Sequence, residues 1–120
     1  MCGRFTQMFT WQELHALYGI TNPPQNIEPR YNLAPTQKAW IVRYDADATG
    51  RSLEALRWGL VPHWAKDLSF GARCINARAE TVATTPAFRD AFKSRRCIIP
   101  ASGFYEWKRN GAAKQPNAIV

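Results

Sequence analysis

Residues 103–111 have the sequence GFYEWKRNG, and this stretch determines the fold more directly than any other. Its first six residues include three aromatic side chains, a composition that favours a β-strand. Asn110-Gly111 is a strong signal for a two-residue hairpin turn. We therefore predict an antiparallel hairpin whose second strand begins at Gln115.

The returning arm of this hairpin ends at Val120, just as it begins to pair. A strand with an unpaired outer edge presents free N–H and C=O groups to other chains. We therefore expect an open sheet edge that invites self-association, and we expect part of the domain to be missing from the sequence.

Upstream of the hairpin, the sequence predicts short strands and two short helices. The first helix has the clearer signals, because Thr10 and Glu13 form a capping box and Gly19 ends the run. Apolar residues recur between them at helical spacing, so we expect His15 to pack against the domain and not to bind a ligand. The other predicted elements are strands at 38–44, 53–61 and 97–100, a turn at 45–50, an extended segment at 73–80, and a second helix that opens at Thr85-Pro86.

The chain has 120 residues, which is enough for one domain. Its three cysteines, Cys2, Cys74 and Cys97, are widely spaced and lack a Cys-x-x-Cys pair, which argues against a disulfide framework and a zinc site. No apolar stretch is long enough to span a bilayer, and the residues after Met1 do not predict a signal peptide. We expect a cytoplasmic protein with reduced thiols, no cofactor and no metal.

Sixteen basic residues, eleven of them arginine, oppose nine acidic ones and give a formal net charge of +7. This excess suits nucleic acid, although a soluble basic protein explains it equally well. Aromatic residues are interleaved with the basic ones, as in proteins on which single-stranded bases stack. Core packing is the default for most of them, but Trp64, in the polar loop 62–67, is the one that we expect to stack on a base.

Cys2 has the most distinctive potential chemistry. If Met1 is removed, Cys2 carries a free α-amine beside its thiol, and such an aminothiol condenses with an aldehyde into an imine and then a thiazolidine ring. An α-amine has a pKa of about 7.7–8.0, so a useful fraction is nucleophilic at neutral pH. Arg4 is close enough to assist the thiol or to bind a phosphate. In isolation, however, a cysteine at this position is usually incidental, and Arg4 is equally a solvated charge.

Two further stretches carry polar residues that suit this chemistry. In an extended segment 74–80, alternation places four polar residues on one face and the apolar residues on the other; the polar ones are Cys74, Asn76, Arg78 and Glu80. Asn76 is then placed to orient a sugar or an imine, and Arg78 to bind a phosphate, although a plain solvent-exposed face explains the pattern as well. Glu106 lies between two aromatic residues, which suits proton transfer, but an exposed edge-strand glutamate is the simpler explanation.

Five segments, taken in order, resemble the motifs of the SOS-response-associated peptidase (SRAP) family, which occurs in bacterial abasic-site-processing proteins and in a eukaryotic DNA-damage sensor. The segments are 1–5 (MCGRF), 29–35 (PRYNLAP), 58–64 (WGLVPHW), 75–81 (INARAET) and 101–108 (ASGFYEWK). The resemblance implies an α+β fold in which a curved, barrel-like sheet, mixed or antiparallel, is flanked by short helices.

The resemblance also implies a protein that binds single-stranded DNA and crosslinks to the ring-opened aldehyde of an abasic site through a thiazolidine, which protects the lesion during the SOS response. Thiol autopeptidase and lyase-type activities are associated with the same family. The positions that match its catalytic residues are Cys2 as nucleophile, Asn76 as support for the intermediate and Glu106 as acid/base. The positions that match its DNA contacts are Arg4, Asn32, Pro35, Trp64 and Arg78.

Two features depart from the family pattern. Family domains are longer and carry a later catalytic histidine in a His-x-Arg-Met-Pro motif, which neither His15 nor His63 provides, so we expect residues 1–120 to be a domain truncated at its C-terminal side. A retained Met1 would acylate the amine of Cys2 and block ring closure. Two other functions therefore stay open: a non-catalytic single-stranded DNA-binding module, and a cysteine peptidase acting in trans.

Overall fold

The computed structural model of the chain describes residues 2–45 and 50–120. The predicted turn at 45–50 lies mostly outside the described residues. The elements are β1 (Phe5–Gln7), α1 (Trp11–Tyr18), β2 (Arg30–Leu33), β3 (Lys38–Asp45), β4 (Gly50–Arg57), a 3-10 helix (Leu68–Arg73), α2 (Arg89–Ser94), β5 (Gly103–Asn110) and β6 (Ala113–Ile119). No helix in these two ranges is long and apolar enough to cross a membrane.

The described strands form two antiparallel sheets, one with the order β2-β1-β5-β6 and one made of β3 and β4. The expected α+β class is confirmed: the sheet curls into half a barrel, and the helices beside it are few and short. β1 has only three residues, yet it pairs with β2 through Phe5 and Leu33 and with β5 through Phe5 and Phe104. The N-terminal strand therefore joins chain segments that are distant in sequence.

Gln7, at the end of β1, connects the two sheets through its side chain, which is 1% exposed. Its Nε2 donates to the carbonyl oxygens of Trp40 and Pro100, each at 2.8 Å, and its Oε1 accepts from the Trp40 N–H at 3.0 Å. A buried amide is tolerated only when its donors and acceptor are paired, as they are here. β1 and β3 belong to different sheets, and the Gln7 side chain supplies the hydrogen bonds that connect them.

Two apolar clusters pack on either side of this connection. In the first, α1 places Leu14 against Ile20, Val42 and Leu53. In the second, Phe5 packs with Leu33 and Ala39, with Cys2 and Trp58 at its edge. Both clusters contain a residue of β3, Val42 in the first and Ala39 in the second. The β3–β4 sheet therefore contributes to the burial of Phe5 on β1.

The first helix matches its sequence signals closely. Thr10 caps it, the capping box with Glu13 is formed, and Gly19 takes the left-handed conformation at the end, with φ 64°. His15, in contrast, is exposed and stacks on Trp11 with ring centroids 4.8 Å apart, so the expectation that it packs against the domain was wrong. Leu14 occupies the buried position of that turn instead.

Three other predicted elements differ from the structure. The strand expected at 53–61 ends at Arg57, because Gly59 takes a φ of 126° and turns the chain. The strand expected at 97–100 is reduced to a bridge in which Val42 and Ile98 exchange hydrogen bonds of 2.9 and 2.8 Å. The second helix begins at Arg89, a few residues after Thr85-Pro86, where turns come first.

The C-terminal hairpin is confirmed, with Gly111 in the left-handed region at φ 64°. Its second strand begins at Ala113, which pairs with Asn110, and not at the predicted Gln115. β6 is the edge strand of the described sheet, and every residue from Ala113 to Ile119 is exposed. An open edge is therefore present, while self-association through it stays a prediction.

We predict that Gln7→Leu lowers the free energy of unfolding by about 3 kcal/mol, because it leaves one N–H and two carbonyl groups without a partner, each costing on the order of 1–3 kcal/mol when buried. Chemical denaturation measures the change. The matched control is Gln12→Leu on the exposed face of α1, which we expect to stay within about 0.5 kcal/mol of wild type. Equal stability of the two variants would show that the buried amide does not connect the sheets.

Candidate active site

A cavity of about 330 Å³ opens beside Cys2. β1, β5 and the segments 74–76 and 99–101 contribute to its wall, which is mostly apolar. The residues that line it are Cys2, Phe5, Trp58, Ile75, Asn76, Ile99, Ala101 and Phe104. The cavity thus places one thiol and one amide beside a mostly apolar surface.

Cys2 is half-buried at this cavity and is held at its backbone and its thiol. The Asn76 Nδ2 donates to the carbonyl oxygen of Cys2 at 2.8 Å, and the Cys2 Sγ lies 3.6 Å from the carbonyl oxygen of Arg4. A Cβ placed on Gly3 would meet no atom within 4 Å, so the space next to Cys2 is open. A ligand can therefore approach the N-terminal backbone closely.

Trp58 organises the surroundings of Cys2. Its ring packs edge-on against Phe5, with centroids 5.1 Å apart, and its Nε1 donates to the Ile75 carbonyl oxygen at 2.8 Å. That second contact fixes the residue before Asn76, and Asn76 in turn holds Cys2. Trp58 is thus linked to Cys2 through two hydrogen bonds, one to Ile75 and one from Asn76.

The same tryptophan also anchors the turn that carries Pro35. The Thr36 N–H donates to the Trp58 carbonyl oxygen at 2.8 Å, and the Trp58 N–H donates to Gln37 at 2.9 Å. Thr36 has a φ of 72°, a conformation that β-branched residues rarely adopt and that costs on the order of 1–3 kcal/mol. These backbone contacts stabilise the strained turn beside the cavity.

The segment that carries Asn76 is not a strand, so the predicted extended segment at 73–80 was wrong. Its start is fixed by the 3-10 helix and by a hydrogen bond of 3.0 Å from the Leu60 N–H to the Cys74 carbonyl oxygen. A Cβ on Gly59 would lie 2.5 Å from the Gly71 carbonyl oxygen, so the two glycines let these backbones touch. Ala77 and Ala79 are exposed, like Arg78, which rules out the alternation of a polar and an apolar face.

The three thiols have different environments. Cys74 is buried, and burial raises the pKa of its thiol against a smaller opposing effect of Arg73. Desolvation also raises the pKa of the Cys97 thiol, opposed by Arg43, although Cys97 as a whole residue is exposed. Both thiols are therefore held in the protonated, less nucleophilic form at neutral pH, and of the three only Cys2 lines the Asn76 cavity.

Glu106 lies on β5, two residues beyond Phe104. Because strand residues alternate between faces, Glu106 shares the face of Phe104, which lines the cavity. Its side chain is half-buried. The neighbouring Tyr105 takes the other face and donates its hydroxyl to the Tyr31 carbonyl oxygen at 3.0 Å.

The predicted DNA contacts are scattered around this centre. Arg4 lies next to it, and its Nε is buried without a hydrogen-bond partner among residues 2–45 and 50–120. Asn32 precedes Leu33, which is buried against Phe5, so alternation directs Asn32 away from the cavity. Pro35 lies in the turn anchored by Trp58.

Trp64 and Arg78 are both exposed. Trp64, with 48% of its surface accessible, contacts Phe70 edge-on at 5.1 Å between centroids. It borders a separate cavity of about 350 Å³ that Lys66 and Arg73 also line. Asp67 lines this cavity as well, so it has one acidic and two basic side chains beside the exposed ring. An exposed ring with cations nearby suits base stacking beside phosphates.

Sequence reasoning missed the apolar wall of the site. Trp58, Phe5 and Phe104 were part of the quoted motifs, but their residue types suggested core packing alone. No pattern in the sequence placed Ile99 beside Cys2, because that contact depends on the Val42–Ile98 bridge. No group of histidine, cysteine, aspartate or glutamate side chains suited to a metal was found in the described part of the chain.

Comparison with known proteins gives a consistent result. A family model described as SOS response associated peptidase (SRAP) matches residues 1–120. The abasic site processing protein YoaM of Bacillus subtilis is 47% identical over 111 residues, which cover 91% of this chain and 48% of YoaM. The abasic site processing protein YedK of Escherichia coli is 36% identical over 121 residues, covering 97% of this chain and 52% of YedK.

Solved structures agree on the fold. A Bacteroides thetaiotaomicron protein superimposes with a TM-score of 0.78 at 24% identity, over 96% of this chain and 52% of that one. A phage-related protein of Bordetella bronchiseptica gives a TM-score of 0.72 at 30% identity, over 96% of this chain and 53% of that one. The chain spans about half the length of the curated relatives first matched and of these solved structures.

We predict that Trp58→Phe lowers the free energy of unfolding by about 1–2 kcal/mol, because the ring is retained while the Ile75 carbonyl loses its donor. Urea denaturation measures the change. Trp107→Phe is the matched control, since Trp107 is 47% exposed and we expect an effect below about 0.5 kcal/mol. If Trp58→Phe is as stable as its control, the indole hydrogen bond does not hold the Asn76 segment.

Proposed function

The chain belongs to the SOS response associated peptidase (SRAP) family, and we propose on that basis that it captures abasic sites in single-stranded DNA by forming a covalent thiazolidine at Cys2. One observation carries the proposal: the second residue of the chain is a cysteine at a cavity, with its carbonyl oxygen bound by the Asn76 amide. Relatives named abasic site processing proteins supply the substrate class.

The proposed reaction begins after removal of Met1, which gives Cys2 a free amine. The amine nitrogen adds to the aldehyde carbon of the ring-opened sugar, and loss of one water gives an imine. The Cys2 sulfur then adds to the imine carbon, and the nitrogen gains a proton as the ring closes. Aldehyde and aminothiol thus combine with the net release of one water.

The roles of the side chains follow from their contacts. Asn76 binds the Cys2 carbonyl oxygen and so orients the residue that carries both reacting groups. Trp58 acts as a positioning residue through Ile75. The apolar wall formed by Phe5, Trp58 and Phe104 lowers the local water content, which favours the dehydration that forms the imine.

Glu106 is the proposed acid/base. It shares a sheet face with Phe104 and is half-buried, which brings a carboxyl group to the side of the sheet where the carbonyl oxygen must leave as water. Its pairing strand β6 forms the hairpin that sets its position. A carboxyl group at this place can give a proton to the leaving oxygen and take one from the thiol.

The DNA strand is proposed to follow the basic and aromatic residues around Cys2, with phosphates bound by Arg4 and Arg78 and a base stacked on Trp64. Asn32 and Pro35, on β2 and the following turn, are proposed to contact the strand further from the lesion. Because its substrate would be chromosomal DNA, we expect the protein to act at the nucleoid in the cytoplasm.

We predict that Cys2→Ala abolishes the adduct that survives denaturing electrophoresis with abasic-site DNA and leaves reversible binding intact. Cys2→Ser retains the amine without the thiol, so we expect only an imine that requires borohydride reduction to survive. Cys74→Ala is the matched control, because Cys74 does not line the Cys2 cavity, and it should crosslink like wild type. A heat-stable adduct in Cys2→Ala would refute the mechanism, and binding without any adduct in the wild-type chain would favour a non-catalytic binding module.

We predict that binding to undamaged single strands weakens with salt, with a slope of log affinity against log salt near −2 to −3.5, at about −0.7 for each of roughly three to five phosphates. Arg78→Ala should flatten the slope by about 0.7 in fluorescence-anisotropy titrations. Arg109→Ala, on the exposed side of the hairpin, is the comparison variant. Tighter binding to intact duplex than to single strands would contradict the proposed path.

A further inference from the structure

A further concave surface adjoins the Cys2 cavity through segment 97–99 and lies between the β3–β4 sheet and the segment that follows α2. It encloses about 430 Å³, and no acidic residue lines it. We call it the arginine groove, after the lining residues that matter for the argument: Arg43, Arg95, Arg96, Tyr44, Leu56 and Cys97.

The three arginines differ in how far their charge is compensated. Arg43 forms an ion pair with Glu54 at 2.8 Å. Arg96 is held over the Phe92 ring, with its guanidinium carbon 5.2 Å from the centroid, and Arg95 forms no ion pair within residues 2–45 and 50–120. Arg95 therefore brings a guanidinium group without an ion pair to the groove. Arg96 also lines a neighbouring cavity with Phe92 and Asp90, so it lies at the border between that cavity and the groove. Guanidinium groups in these positions suit phosphate oxygens.

The groove also offers a flat surface for a base. Tyr44 is 71% exposed on β3, next to the ion-paired Arg43. An exposed aromatic ring beside guanidinium groups is the combination with which proteins bind single-stranded nucleic acid without sequence preference. The chemistry of the groove therefore matches that of an unpaired strand better than that of an apolar peptide.

The arginine groove and the Cys2 cavity share a wall. Cys97 lines the groove and Ile99 lines the cavity, and residues two positions apart lie at most about 7 Å from each other. The segment between them is fixed to β3, because Val42 and Ile98 exchange two backbone hydrogen bonds. A strand that crosses the cavity can therefore reach the groove within a few nucleotides.

We propose that the arginine groove binds phosphates of the same DNA strand whose abasic site reacts at Cys2. This proposal rests on the proposed function, which it extends from a single reactive position to a track along the protein. It predicts that nucleotides flanking the lesion on one side contribute to affinity through Arg95 and Arg96.

The test compares two double variants of the whole chain that each remove two positive charges from the same region. Arg95→Gln/Arg96→Gln removes charge from the groove, and Arg89→Gln/Lys93→Gln removes it from α2 residues that do not line the groove. Anisotropy titrations against salt use undamaged single strands of about 5 and about 20 nucleotides, lengths that bracket a typical binding site. Circular dichroism and thermal unfolding verify that all three proteins fold alike.

We expect the groove variant to lower the ratio of long-strand to short-strand affinity and to flatten the salt slope on the long strand by about 1.4, at about 0.7 for each of two phosphates. The α2 variant should keep an affinity ratio and a salt slope closer to those of the wild-type chain. Equal flattening in the two variants, or none in the groove variant, overturns the proposal.

Crosslinking of the wild-type chain to abasic-site DNA, measured in parallel, separates the two proposals. An adduct together with indistinguishable variants means that the groove proposal is wrong while the Cys2 chemistry stands. If the groove variant flattens the salt slope but the wild-type chain forms no adduct, the groove binds DNA and the Cys2 chemistry is wrong. A wild-type chain that binds neither strand overturns both proposals.

Discussion

The pairing of the Gln7 amide is the constraint on which the rest of the fold depends. β1 is too short to bury itself, and its backbone pairs only with β2 and β5. The second sheet is bound to it through one side chain, whose two donors and one acceptor all find partners on Trp40 and Pro100. Because this amide joins β1, β3 and the segment before β5, it holds β1 and that segment, which both line the Cys2 cavity, against the second sheet.

The position of Cys2 is fixed by a series of contacts that begins at Trp58 and ends at Asn76. Trp58 contacts Phe5, the Pro35 turn and the Ile75 carbonyl, and Asn76 transmits that order to Cys2. Each contact in this series is a hydrogen bond or a ring contact, so the placement of Cys2 depends on residues that are far from it in sequence. Two further features lie next to Trp58: the strained Thr36, which donates to its carbonyl oxygen, and Gly59, whose backbone approaches Gly71 closely.

Local signals in the sequence were sufficient for the elements that depend on local interactions. The capping box at Thr10 and the Asn110-Gly111 turn predicted α1 and the β5–β6 hairpin, because each signal acts within a few residues. Segment 73–80 was misjudged because its shape is set by contacts with Leu60 and Trp58, which periodicity cannot show. Cys2 and Asn76 were both singled out, but their contact joins residues 74 positions apart and required the fold.

Because Cys2 and Asn76 are 74 positions apart, their contact can form only after much of the chain has been synthesised. β1 pairs with β5 between Phe5 and Phe104, and Asn76 reaches back to Cys2, so the contact order of this corner is high. A ribosome that adds about 5–20 residues per second needs about 5–20 seconds to pass from β1 to β5. During that interval β1 can pair with β2 but not yet with β5. The cavity beside Cys2 therefore lacks the wall that Phe104 supplies until the hairpin has been synthesised, and this corner of the domain is among the last parts to be completed.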